Sequence, residues 1–209
     1  MSRAIPAARR YAPLMITVLS VPFDDERAQA LWAEQQAEIA ERYGEDDEGH
    51  APLTADGVAV SLLALEEDGT PVGTVLARWS HYHPDEPGAI EVKRLYVIPS
   101  RRDRGYGRVL MGAYEKACER VGATRIVLET GTAQPEAVSL YERIGYERAS
   151  DYGPYVGESE LICMTKALPT RVLVINGTMG AGKTSTAYAA VGLLGAAGAR
   201  VAMIDADAL

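Results

Sequence analysis

The stretch Glu91-Val-Lys-Arg-Leu-Tyr-Val-Ile-Pro-Ser-Arg-Arg-Asp-Arg-Gly-Tyr-Gly107 decides how this chain is read. A strand pattern over Ala89–Val97 enters a loop with Arg101, Arg102 and Arg104, and helical spacing begins at Arg108-Val-Leu-Met. Amides in the first turn of a helix have no intrahelical partner and point outward. Together with the helix dipole they attract phosphate. Gly105 and Gly107 remove side chains where backbone and ligand must come close. The arginines add planar, positively charged donors. The loop therefore reads as a diphosphate seat, and the strand before it carries one acidic residue, Glu91.

A second block, Gln134-Pro-Glu-Ala-Val-Ser-Leu-Tyr141-Glu-Arg-Ile-Gly-Tyr146, follows at some distance. The two blocks together resemble the GNAT superfamily of acyl-CoA-dependent N-acyltransferases, over roughly residues 14–168. That family's loop, Gln/Arg-x-x-Gly-x-Gly/Ala, is Arg102-Asp-Arg-Gly105-Tyr-Gly107 here. Its Ala-x-x-Leu-Tyr-x-x-x-Gly-Phe/Tyr segment corresponds to Ala137–Tyr146. The resemblance implies an α/β GNAT fold with a mixed sheet. It implies acetyl-CoA as cosubstrate and acetyl transfer to a primary amine of a small molecule. It also implies cofactor contacts from Leu95, Tyr96 and Val97 on the strand and from Arg102, Arg104, Gly105, Tyr106 and Gly107 in the loop. Gln134 stands near where many relatives have an Asn on the cofactor arm.

Two catalytic residues follow from the same resemblance. Glu91 precedes Arg104 by thirteen residues, the spacing of the general base in the histone-acetylating branch. An amine is mostly protonated at neutral pH, and a carboxylate that takes its proton contributes about 10²–10⁴ in rate. Tyr141 matches the tyrosine that protonates the departing thiolate. The N–H of Val97 is the implied donor to the thioester oxygen. The plainer readings are a strand carboxylate paired with Lys93, which shares its face, and a core aromatic.

The 209 residues are 47% hydrophobic, enough for a packed core. A formal charge of −8 argues against non-specific nucleic-acid binding. Cys118 and Cys163 lack a framework spacing and are expected to be buried thiols in a reducing cytoplasm. No apolar run is long enough to span a membrane. A homodimer is an expectation by family likeness alone.

The remaining pattern orders the elements β-α-β-β-β-α-β-α-β-β. Met15–Val21 reads as a strand, and Asp24 or Asp25 caps a helix to about Tyr43 with Ala30, Leu31, Ala37 and Ile39 among its apolar positions. Val58–Leu65 and Val72–Trp79 form a hairpin around Asp68-Gly69. A second helix is expected within Gly49–Gly57. Arg125–Glu129, Tyr146–Ala149 and Glu160–Lys166 are strands, and Pro135–Arg143 is a helix with Pro in its first turn. His81 and His83 lie in a loop. Tyr152 and Tyr155 fall where relatives line the acceptor pocket. The acidic run Glu45–Glu48 reads as a solvated loop.

After Leu168 a boundary divides the chain into 1–168 and 169–209. Strand Arg171–Asn176 leads into Gly177-Thr-Met-Gly180-Ala-Gly182-Lys183-Thr184, a Walker A phosphate loop. A helix and a strand ending at Asp205 would complete a partial P-loop β-α-β unit. There Lys183 would reach ATP phosphates and Thr184 would hold Mg²⁺. The tail is too short for a doubly wound domain, which needs several more covered parallel strands. Two rival readings follow: a non-catalytic acyl-CoA-binding regulatory module of a fused P-loop kinase, and an ATP-dependent small-molecule kinase.

Overall fold

The computed structural model describes residues 16–44, 53–83, 85–86, 88–169, 175, 178 and 180–196. Ten elements follow in the expected order: β1 (Ile16–Ser20), α1 (Glu26–Tyr43), β2 (Val58–Glu66), β3 (Pro71–Trp79), β4 (Ala89–Val97), α2 (Tyr106–Arg120), β5 (Arg125–Gly131), α3 (Pro135–Arg143), β6 (Glu147–Arg148) and β7 (Leu161–Ala167). A further helix, α4 (Lys183–Ala196), lies in the tail.

The strands form one sheet in the order β1-β2-β3-β4-β5-β7-β6. Every neighbouring pair is antiparallel except β4 and β5. That parallel pair shares only the rungs Ala89↔Arg125, Ile90↔Ile126 and Glu91↔Val127. Both strands then continue, to Val97 and Gly131, without pairing each other. A bulge in β4 accompanies the split. Thr74 faces Tyr96 while Leu76 faces Lys93, so Arg94 and Leu95 oppose the single residue Val75. Arg94 takes φ 55° to accommodate it. A bulge bends its strand and adds twist, which carries the far end of β4 away from β5.

One face of the sheet is covered by α1, whose Ala28, Leu31 and Trp32 pack on Leu63, Leu76 and Tyr96. The buried stripe differs from the expected one, because Ala30 and Ala37 are exposed. The phase of the helix is set by Trp32, which buries its ring and donates its indole N–H to Thr74 Oγ1 at 3.1 Å. Asp25 accepts from the amides of Arg27 and Ala28 at the start of α1, and Gly44 ends it at φ +76°. The opposite face is covered by α2 through Tyr106, Leu110, Met111, Tyr114 and Cys118, joined by Tyr141 and Tyr146. Each large apolar side chain buried there stabilises by about 1.5–3 kcal/mol.

Residues 53–57 contain no helix, and the rest of the expected second helix lies outside the described residues. Most of the expected strand 171–176, all of 200–205, and Gly177 lie outside them too. Of the expected P-loop unit, the described part is α4 and the turn before it, with Gly180 and Gly182 at φ +82° and +73°. Both cysteines are buried, Cys118 on α2 and Cys163 on β7.

Candidate active site

The split between β4 and β5 leaves main-chain groups of β4 facing a gap. Ile98 N–H donates to Val72 C=O across β3 at 3.1 Å. Successive amides alternate sides along a strand, so the Val97 N–H points away from β3 and into the gap. Carbonyls on that side already have partners. Leu95 C=O accepts from Gln35 Nε2 at 2.9 Å, and Val97 C=O accepts from Arg102 Nε at 3.0 Å.

The expected phosphate loop follows β4. Gly105 precedes α2 at φ +83°, and no side chain caps the helix. The first-turn amides are therefore left to a ligand or solvent. Gly107 has a packing reason to lack a side chain as well. A Cβ there would lie 3.2 Å from Leu140 Cδ2, so the missing side chain lets α2 and α3 pack closely. The three arginines also divide. Arg101 forms a two-pronged pair with Glu66 at 2.7 and 2.9 Å, and Tyr106 OH donates to the same carboxylate at 3.0 Å. Arg102 pairs with Glu38 of α1 and lies 5.5 Å from the Tyr96 ring centre. Arg104 is exposed and makes no ion pair among the described residues. Tyr96 is buried under α1 and stands opposite Thr74, so its main-chain groups face β3.

At the closed end of the gap stands a polar cluster, buried on the α1 side of the sheet. Glu91 is 0% exposed. Its Oε1 accepts from Tyr152 OH at 3.0 Å and Tyr155 OH at 3.3 Å, with Lys93 Nζ at 3.4 Å. Its Oε2 accepts from Arg78 Nη2 at 3.1 Å. Glu91 thus pairs with Lys93 as its strand position suggests, but from inside the protein. Lys93 Nζ also reaches Glu129 Oε1 at 2.8 Å and Tyr155 OH at 2.7 Å. Burial opposes the Lys93 charge, yet Glu129, Glu91 and Tyr155 outweigh it and hold the ammonium well above its ordinary range. Burial and then Glu91 push the Tyr152 hydroxyl far up, which keeps it a donor.

Tyr141 projects from α3 and is 5% exposed. Its ring lies 5.5 Å from that of Tyr146. Burial raises its hydroxyl well above the ordinary phenol value; Glu129 adds to this and Lys93 opposes it. The hydroxyl therefore stays protonated and sits in the field of the Lys93–Glu129 pair. Gln134 occupies the position before α3 and makes no side-chain cap there. His83 Nδ1 is 2.8 Å from Ser80 Oγ and its ring is 4.7 Å from Tyr152, while the Tyr82 ring lies against Gly153. Among the described residues no three metal-ligating side chains converge.

The structure gathers Glu91, Tyr152 and Tyr155 with Lys93, Arg78 and Glu129, and the last two were not singled out from the sequence. A signal for both was present: a single charge inside an otherwise apolar strand, in Val75-Leu-Ala-Arg-Trp and Val127-Leu-Glu-Thr.

A family model, Acetyltransferase (GNAT) family, matches residues 19–146. The chain belongs to the acetyltransferase (GNAT) family. The match ends before the tail at 169–209. An IAA acetyltransferase of Azospirillum brasilense is 32% identical over 96 residues, which is 46% of this chain and 63% of that protein. An uncharacterised N-acetyltransferase of Schizosaccharomyces pombe is 34% identical over 110 residues, 51% of this chain and 64% of its own length. The chain thus spans somewhat less than two thirds of these relatives. A crystal structure from Klebsiella pneumoniae that carries the name acyl-CoA N-acyltransferase superposes with a TM-score of 0.63 at 27% identity, covering 74% of this chain and 98% of that one. GNAT proteins use acetyl-CoA as cosubstrate, and the uncapped α2 start, the exposed Arg104 and the split sheet are of the kind that such a thioester carrier requires. No helix among the described residues is long and apolar enough to cross a membrane.

Proposed function

We propose that this GNAT protein transfers an acetyl group from acetyl-CoA to a primary amine of a small molecule. The observation that carries the proposal is the β4–β5 gap, which ends at the Lys93–Glu129 pair and receives the Val97 N–H. The diphosphate would rest on the first-turn amides of α2 at Gly105, Tyr106 and Gly107, with Arg104 beside it. Arg102 would shape this seat from behind, through Glu38 and the Val97 carbonyl. Val97 would present its N–H to the cofactor arm, flanked by Leu95 and Tyr96, and Gln134 would border it from the far side.

In the reaction the amine nitrogen bonds to the thioester carbon and the carbon–sulfur bond breaks. The developing oxyanion takes the Val97 N–H, a contact worth about 10²–10³ in rate. The departing sulfur takes the Tyr141 proton, and the phenolate regains one through solvent as the carboxylic acid formed from the amine's proton ionises again. The proton lost by the amine goes to a carboxylate. Glu91 is sealed from solvent, so its proton would arrive through the hydroxyl of Tyr155 or Tyr152. Glu129, with 19% of its side chain exposed, is the more accessible carboxylate at the same place. Tyr152, Tyr155 and Lys93 would face the acceptor at the closed end of the gap. A screen of free-thiol release from acetyl-CoA over a library of amines tests the proposal; absence of turnover with every amine would sink it.

For the tail we propose contact with a nucleotide phosphate at residues 177–184, with Mg²⁺ at Thr184. Its support is the Gly-x-x-x-x-Gly-Lys-Thr sequence and a helix that begins at Lys183. Titration with Mg–ATP, using Lys183→Ala as control, checks it. Equal heats for the two proteins would remove this contact.

A further inference from the structure

The two lips of the β4–β5 gap are tied to each other by side chains of α1. On the β4 side, both guanidinium prongs of Arg102 meet the Glu38 carboxylate. Glu38 also accepts from Arg42, one turn further along α1, at 2.7 Å. Arg42 then reaches across to the β5 side. It pairs with Glu136 in the first turn of α3 at 2.6 Å and donates to Ala133 C=O at 3.1 Å. The neighbouring Tyr43 hydroxyl accepts from Ala133 N–H at 3.1 Å. That hydroxyl occupies the place a Cβ on Gly131 would take, so the end of α1 is seated on the backbone where β5 ends.

These contacts form one alternating ladder, Arg102–Glu38–Arg42–Glu136. It starts in the phosphate loop and ends on the helix that carries Tyr141. We propose that the ladder is a calliper: it fixes the separation between the diphosphate seat and the Tyr141 hydroxyl at the length spanned by the cofactor arm. Two diverging strands have no main-chain bonds to set their spacing, so something else must. Partly exposed ion pairs stabilise folding by little individually. A network that crosses an opening acts on geometry instead, and misplacing a reacting group by about 1 Å can cost about 10²-fold in rate. Arg102 is on this view a positioning residue and Arg104 the phosphate contact.

The inference rests on the acetyl-transfer reading, and the experiment separates the two. Arg42→Gln and Glu136→Gln each remove a charge from the full chain at the rungs away from the diphosphate seat, and the Glu136 variant also keeps the side chain's length. Each protein is titrated calorimetrically with acetyl-CoA and with 3′-phospho-ADP, a fragment that fills the seat without reaching Tyr141. Each variant should bind acetyl-CoA about tenfold more weakly and the fragment within about twofold of the parent. The Arg42→Gln/Glu136→Gln double variant should be no worse than either single one, because coupled groups are not additive. Should a variant fail to fold, salt provides the second measurement on the unaltered protein. Raising ionic strength screens the ladder, so acetyl-CoA affinity should fall more steeply than fragment affinity. Equal losses for the two ligands, or no loss, would overturn the calliper. A parent protein that binds neither ligand would remove the acetyl-transfer reading itself.

Discussion

The Lys93 ammonium lies 2.8 Å from Glu129 Oε1 and so joins β4 to β5 just past the last rung the strands share. The closed end of the gap is therefore an ion pair rather than a main-chain hydrogen bond. Tyr155 and Glu91 complete its surroundings, and the Tyr141 hydroxyl senses both partners. The ion pair, the anchoring loop and the Tyr141 phenol that feels their field can each be altered separately.

Tyr141→Phe removes the hydroxyl and keeps the ring packed on Tyr146. Turnover should fall by about 10²-fold, with acetyl-CoA affinity little changed. Steady-state kinetics beside calorimetry will check this; undiminished turnover would take Tyr141 out of the proton path.

Glu91→Gln and Glu129→Gln should differ in kind. Breaking the buried set around Glu91 leaves Arg78 facing a neutral amide, and stability should drop by about 3 kcal/mol. Glu129 is partly exposed, and its loss should destabilise by less. Urea denaturation measures both. In activity, Glu91→Gln should depress the rate most at low pH, where free amine is scarce. A pH profile identical to the parent's would leave Glu91 only as the anchor of Tyr152 and Tyr155.

Gly153→Ala should act on the acceptor and not on the carrier. Gly153 has φ +54°, and a Cβ there would lie 2.5 Å from the Tyr82 ring. The added methyl must displace Tyr82 and strain the loop that holds Tyr152 and Tyr155. The KM for amine should rise severalfold while that for acetyl-CoA stays put. The reverse pattern would place this loop away from the acceptor.

Stability should decline at both ends of the pH range, for different groups. Arg102 beside Glu38 holds that carboxyl below its usual value despite partial burial. This contribution is present above the unfolded value of about 4.3 and is lost as pH falls through the lower folded one. Burial pushes the Cys118 thiol up to about 12. The unfolded thiol ionises near about 8.5, so in that interval the folded chain binds more protons and stability falls as pH rises. Urea midpoints at pH 4, 7 and 9.5 should peak at the middle value, and Cys118→Ala should flatten the alkaline side. A midpoint that climbs from pH 7 to 9.5 would contradict the assignment.

Most of the architecture was legible in the sequence. Period-two runs and turn residues placed β2, β3 and β4, and Asp24 or Asp25 marked the start of α1, which the structure gives to Asp25. The phase of α1 was not, because alanines lie on several of its sides and only contact with Thr74 selects the face bearing Trp32. Gly105 and Gly107 were both read as ligand clearance, and the structure adds a local reason for each: φ +83° at Gly105, and Leu140 of α3 packed close to Gly107. Arg101 and Arg102 looked like phosphate contacts because their partners, Glu66 and Glu38, are far away in sequence.

Local chemistry alone determined the order of elements, the turn before α2 with its unpartnered amides, and the presence of Glu91 and Tyr141 near a β-α junction. These depend on propensities and spacings within a few residues. The tertiary structure decided which charges neutralise one another, how deeply Glu91 is enclosed, and that Glu129 and Arg78 join it. Pairing across a split sheet depends on the distance between strands and helices, and no single segment encodes that distance.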